Sequence, residues 1–114
     1  MTNITVEYEG EWIVRLASIG HAGIAKAGEN IVCAAISVLM QTCVNAIEGV
    51  AGITPITIID EQRALIDISL PKDDAAKLHD AQTILRTTVL GLTDISHEYP
   101  RLVKLNILNG RNLL

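Results

Sequence analysis

The chain has no phenylalanine, and Tyr8, Trp12 and Tyr99 are its only aromatic residues. Its core must therefore be aliphatic. Cysteine is almost as scarce. Cys33 and Cys43 lie ten residues apart in one helical pattern, about 15 Å along a helix axis and well beyond the ~7 Å Cα separation a disulfide allows, so both are expected to be thiols. No Cys-x-x-Cys or His-x-x-x-His pair occurs, which removes the common metal frames, and neither a metal nor a cofactor is expected. Basic residues are few and scattered, and the formal net charge is −4. Without a basic stripe to neutralise phosphates, direct nucleic-acid binding is not expected. Long apolar runs are missing too. None reaches the roughly 18 uninterrupted residues of a membrane span, and the opening MTNITVEYEG lacks the basic segment of a signal peptide. A cytoplasmic protein with no membrane partner is expected.

What is present is aliphatic. Ile, Leu and Val supply 37 of the 114 residues, and hydrophobic residues make up 49% of the chain against 19% charged. That composition folds, and the length suits one domain spanning residues 1–114. Small domains bury a smaller fraction of their surface than large ones, so the apolar excess points to a homodimer.

Residues 2–19 read as a hairpin. Ile4, Val6 and Tyr8 alternate with polar neighbours, Glu9-Gly10 turns the chain, and Trp12, Val14 and Leu16 resume the period of two. Residues 20–28 hold Gly20, Gly23 and Gly28 among small residues, the composition of a flexible loop. Asn30 is suited to cap a helix over about 30–48, which would place Cys33 in its first turn. Ser37, Gln41, Asn45 and Glu48 form a narrow polar stripe on that helix. A second hairpin spans 55–70. A second, amphipathic helix covers about 73–97, with Leu78, Ala81, Leu85, Val89 or Thr88, Leu92 and Ile95 on its apolar side. Residues 102–108 form a last strand and 109–114 a frayed tail. The order strand-strand-helix, twice, followed by a strand, predicts an α+β fold of two layers, with helices packed on a mainly antiparallel sheet.

A thiol in a first helical turn faces unpaired N–H groups and the positive end of the helix dipole, and both favour the thiolate. Buried cysteine as a small hydrophobe is the commoner case, and it describes Cys43, set among Met40, Val44 and Ile47. His21 opens the glycine loop, twelve residues before Cys33. A loop of that length can return the imidazole to the helix start, placing a base beside a nucleophile. His79 and His97, on the charged side or end of the second helix, need no such role. Asn30 is a cap or a residue that orients His21. Ser37, one turn after Cys33, can bond a thiolate, a substrate or a backbone carbonyl. The glycines supply turns, or a flap whose amides face an oxyanion. They do not form a nucleotide loop, because Gly28 is followed by Glu29-Asn30 and not by Lys and Ser or Thr.

The run Gly20-His21-Ala22-Gly23, then Ala25, Gly28 and Asn30-Ile31-Val32-Cys33-Ala34-Ala35-Ile36-Ser37, followed by Gln41-Thr42, resembles the ribosomal-processing cysteine protease Prp family. Its signature is a GHAG loop followed by a G-x-D-I-V-C-A-A-x-S helix start, and Tyr99-Pro100 also fits. The resemblance implies a homodimeric cytoplasmic endopeptidase that removes a short N-terminal extension from a bacterial large-subunit ribosomal protein. It makes His21 the general base and acid, Cys33 the nucleophile, and the glycine loop a flap over the substrate peptide, and in the mechanism expected from it the Cys33 N–H and loop amides hold the oxyanion. In place of the family's aspartate this chain has Asn30, which caps a helix but cannot stabilise an imidazolium by charge. Homologues in phage genomes make a phage protein an alternative substrate. Two rival classes predict different behaviour of Cys33: inert packing in a non-catalytic peptide-binding module, or reversible oxidation in a thiol sensor.

Overall fold

The computed structural model describes residues 1–21 and 27–110, without the side chains of 27–30. Strands β1 (Thr2–Glu9) and β2 (Trp12–Ile19) precede helix α1 (Ala27–Gly49). Strands β3 (Ile56–Asp60) and β4 (Leu65–Ser69), helix α2 (Ala75–Glu98) and strand β5 (Val103–Asn109) follow. The sheet order is β3-β4-β2-β1-β5, antiparallel throughout except for β5, which runs parallel to β1. Alternation along each strand sorts the two faces. Ile4, Val6, Leu16, Ile68 and Val103 meet Val32, Ile36, Met40 and Ile47 of α1 and Ala81, Leu85 and Leu92 of α2 in one core. Both helices therefore cover one side of the sheet. The other side carries a cross-strand ion pair, in which the Arg15 guanidinium donates to both Asp67 carboxylate oxygens at 2.9–3.1 Å. The expected α+β, two-layer architecture is observed.

Two local irregularities shape the core. Pairing of β1 with β2 steps from Glu7↔Arg15 to Tyr8↔Ile13, skipping Val14, so Ile13 and Leu16 both point inward although they are three residues apart. Gln82 of α2, 7% exposed, then serves the bulged strand: its Nε2 donates to the Ile13 carbonyl (2.7 Å) and its Oε1 accepts from the Ile13 N–H (2.8 Å). Gln82→Ala leaves two buried backbone groups unpaired at about 1–3 kcal/mol each. A loss of about 2–6 kcal/mol in urea unfolding is the expected result, with little change for Gln62→Ala on an exposed turn.

Helix boundaries follow from local chemistry. Asp74, extended at φ −68° and ψ 156°, accepts the Lys77 N–H and caps α2, and Pro100 prevents continuation past Tyr99. Thr88, not Val89, is the buried residue on its inner side. The start of α1 differs from expectation. It begins at Ala27, so Asn30 lies inside the helix and not at its cap, Gly28 belongs to the helix and not to the loop, and Cys33 is seven residues in. Alanine is the best helix former, and a single glycine costs a helix only about 1 kcal/mol, which allows the helix to begin before the asparagine. The remainder of the expected loop, including Gly23, lies outside the described residues, as does the end of the tail.

By length and mean hydropathy alone, Ile31–Gly49 could cross a membrane. Its Val32, Ile36, Met40 and Ile47 are instead buried in the core, and the stripe Ser37, Gln41, Asn45 and Glu48 is exposed.

Candidate functional site

Four elements converge where β2 ends. Thr2 opens β1, Ser18 lies near the end of β2 and Gly20 just past it, Cys33 and Ser37 stand on α1, and Ala64 ends the β3–β4 turn. Together with His21 and Ile36 they line a cleft of about 170 Å³. His21 is exposed and Cys33 half-buried. The cleft runs into a larger, mostly apolar groove of about 470 Å³ between α1 and the β3–β4 hairpin, with Ser18, Ile36, Ser37 and Ala64 common to both. Val38 and Ile59 flank the groove and are 64% and 59% exposed. Residues twelve apart in sequence, His21 and Cys33, thus share one wall-to-wall space, and Ser37 joins them.

The chain entering the site is fixed by backbone bonds. The Gly20 N–H donates to the Arg63 carbonyl (3.1 Å), and the Gly20 carbonyl accepts from the Thr2 hydroxyl (3.0 Å). Gly20 has φ +95°, and a Cβ there would stand 2.5 Å from the Met1 carbonyl oxygen. Only glycine satisfies both demands. Ala64 also sits at positive φ (48°). Its N–H donates to the Glu61 carbonyl (3.2 Å), closing a turn in which the Asp60 carboxylate accepts from the N–H groups of Gln62 and Arg63 and from the Arg63 guanidinium (2.9 Å). The Arg63 contact, first through that side chain, holds the Asp60 carboxyl below its ordinary value. Asp60 therefore supports the turn at neutral pH and releases it only as pH falls through that lowered value.

Two expected roles change. With α1 starting at Ala27, the Cys33 N–H lies beyond the first four donors and points back into the helix ladder, so it is not an oxyanion donor. The dipole's influence also fades within the first turn, so the helix terminus expected beside Cys33 does not reach it. Gly20 is a turn residue whose amide is engaged with Arg63. Gly28, among the first four residues of α1, retains an N–H with no acceptor in the helix. Thr2, Ser18 and Ala64 were not visible as site residues. A buried threonine among alternating aliphatics, and an alanine at a turn, carry no chemical signature in one sequence.

Cys43 behaves as core. It is 1% exposed, and burial pushes its thiol up despite a hydrogen bond with Thr88. Iodoacetamide should label Cys33 faster than Cys43 in the native protein by roughly two orders of magnitude, because Cys43 must await opening of the core. Peptide mass mapping at neutral pH measures it, and equal labelling would contradict this placement. Among the described residues no three His, Cys, Asp or Glu side chains are grouped to hold a metal ion.

Comparison with known proteins adds the following. Residues 1–104 match the family model described as cysteine protease Prp. A ribosomal processing cysteine protease Prp of Staphylococcus aureus is 32% identical over 104 residues, 91% of this chain and 94% of the relative. A crystal structure from Streptococcus mutans superposes with a TM-score of 0.87 at 28% identity, covering 96% of this chain and 95% of the other. The S. aureus protease solved with a substrate peptide gives 0.81 at 28% identity, covering 94% and 99%.

Proposed function

Because the chain belongs to the cysteine protease Prp family, we propose that it removes a short N-terminal extension from a bacterial large-subunit ribosomal protein, with Cys33 as nucleophile and His21 as general base and acid. The protein is a cysteine protease. The observation that carries the reading is that His21, at the end of β2, and Cys33, on α1, line one cleft opening into an apolar groove.

In this reading the substrate lies extended along α1, from Cys33 past Ser37 toward Gln41. Eight helical residues rise about 12 Å, which matches three to four residues of an extended peptide at about 3.3 Å each. His21 takes the thiol proton. The Cys33 sulfur then attacks the scissile carbonyl carbon, and the oxyanion that develops is held by the Ser37 hydroxyl, one turn along α1, and by amides of the glycine loop. His21 returns the proton to the leaving amine, so a thioester remains on Cys33. Water, deprotonated by His21, attacks the thioester and releases the acid product and the thiol. The reaction needs no cofactor. Gly23 belongs to the flap that completes the oxyanion site in this account, and Asn30 supports His21 less strongly than the family aspartate would.

Two further features belong to the proposal. A single copy leaves Ile31, Val38, Ile56, Ile58, Ile59 and Leu90 more than half exposed, which supports a homodimer. The relatives are named as ribosomal processing proteases, which supports a cytoplasmic address. Large-subunit ribosomal proteins incubated with wild type or with Cys33→Ala test the function by mass spectrometry. A new N-terminus made only by wild type is expected. Equal products from both proteins would refute it.

A further inference from the structure

We propose that Thr2 is a positioning residue for His21, its buried hydroxyl and the Arg63 carbonyl together clamping Gly20 so that the next residue meets the Cys33 cleft in one orientation. This deepens the dyad reading and rests on it.

The alternation of β1 places residues 2, 4 and 6 on the core side of the sheet. Ile4 and Val6 are fully buried there, and Thr2 is 2% exposed. Valine would match Thr2 in shape and suit the strand equally well, whereas a buried hydroxyl is costly unless it is bonded. The bond it makes is to the Gly20 carbonyl, 18 residues away and immediately before His21. Thr2 is itself immobilised. Its N–H donates to the Leu102 carbonyl at 2.8 Å, and it pairs with Val103 of β5.

The same residue is held from the opposite side, through the preceding peptide unit. The Gly20 N–H donates to Arg63, in a turn braced by Asp60 and closed through Ala64 at positive φ. Both hydrogen-bonding groups of Gly20 are therefore engaged, one by the β1 terminus and one by the β3–β4 turn. His21 is exposed and follows directly, so the Gly20 clamp is the described structure that sets where its backbone starts. Misplacing a reacting group by about 1 Å can cost about 10²-fold in rate, so losing one of the two holds should lower the rate by about tenfold without removing a group that touches substrate.

The test compares Thr2→Val, Thr2→Ser and His21→Ala with wild type in three measurements. These are alkylation of Cys33 by iodoacetamide across pH 5.5–9, kcat and KM on a ribosomal N-terminal peptide, and thermal unfolding. Thr2→Val should lower kcat and slow Cys33 alkylation at pH 6.5, each by about tenfold, leave KM within about twofold, and move the alkylation profile toward that of His21→Ala. Thr2→Ser, which keeps the hydroxyl, should restore both. A Thr2→Val protein that is less stable but alkylates as wild type would show a structural role only and overturn the proposal. So would failure of Thr2→Ser to rescue, or identical profiles for wild type and His21→Ala. Should Thr2→Val not fold, Asp60→Ala loosens the clamp from the turn side and must show the same kcat loss and profile shift, and a wild-type profile from it overturns the proposal. Alkylation that depends on His21 and Thr2 without peptide cleavage would uphold the clamp and refute the protease substrate. Cleavage with alkylation independent of Thr2 would do the reverse.

Discussion

Cys33→Ala is expected to abolish cleavage, with kcat lowered by roughly 10⁴–10⁶-fold, while unfolding in urea changes by less than about 1 kcal/mol. The large number follows from covalent catalysis: without sulfur there is no thioester, and the remaining groups can only orient a peptide toward water. The small number follows from position. Cys33 is half-buried at a cleft wall, so removing its sulfur opens no sealed cavity. Peptide affinity should survive, since the apolar groove beside Val38 and Ile59 is untouched. His21→Ala should cost less, roughly 10²–10⁴-fold in kcat, the usual span of general acid-base assistance. Single-turnover assays with a ribosomal N-terminal peptide measure both variants, and a Cys33→Ala protein within tenfold of wild type would contradict the assignment.

Gly20→Ala should be the most damaging substitution outside the reacting pair. A methyl group there would lie 2.5 Å from the Met1 carbonyl oxygen, a backbone atom, at φ +95°. Strain in such a conformation is of order 1–3 kcal/mol, and relief requires β1 and β2 to part at their shared end. Either movement breaks the bonds to Thr2 or Arg63 and shifts His21. A fall of about 10²-fold in kcat/KM is expected, together with a lowered unfolding midpoint. Gly49→Ala, which meets nothing within 4 Å, is the matched control and should be neutral. Equal activity of the two variants would show that the Gly20 conformation has no part in catalysis.

The sequence carried the two hairpins and both helices because each has a periodicity that physics imposes: two for half-buried strands, three to four for helix faces. Ser37, Gln41, Asn45 and Glu48 emerge as the exposed stripe of α1 for that reason. Side chains that break the pattern were the ones missed. Gln82 occupies an apolar position of α2 because the skipped Val14 leaves a strand that needs a hydrogen-bonding partner, and a bulge has no mark in the sequence. The parallel partner of β5 depends on α2 crossing the sheet, a tertiary fact. The start of α1 at Ala27 shows how weak a capping preference is beside good helix formers. That shift of three residues bears on the proposed chemistry, since it removes Cys33 from the helix terminus. His21 and Cys33 themselves stood out in the family's GHAG and I-V-C-A-A-x-S segments, whereas Thr2, Ser18 and Ala64 come together only in three dimensions.

Activation of Cys33 by His21 is the claim on which the rest depends, and its most direct measurement is the rate of Cys33 alkylation between pH 5.5 and 9 in wild type and His21→Ala. Wild-type Cys33 should react rapidly at pH 6.5. The variant should react at least about tenfold more slowly there and gain speed only toward the alkaline end of the range. Superimposable profiles would contradict the account, because a sulfur indifferent to the imidazole in its own cleft is not the nucleophile of a cysteine-histidine pair.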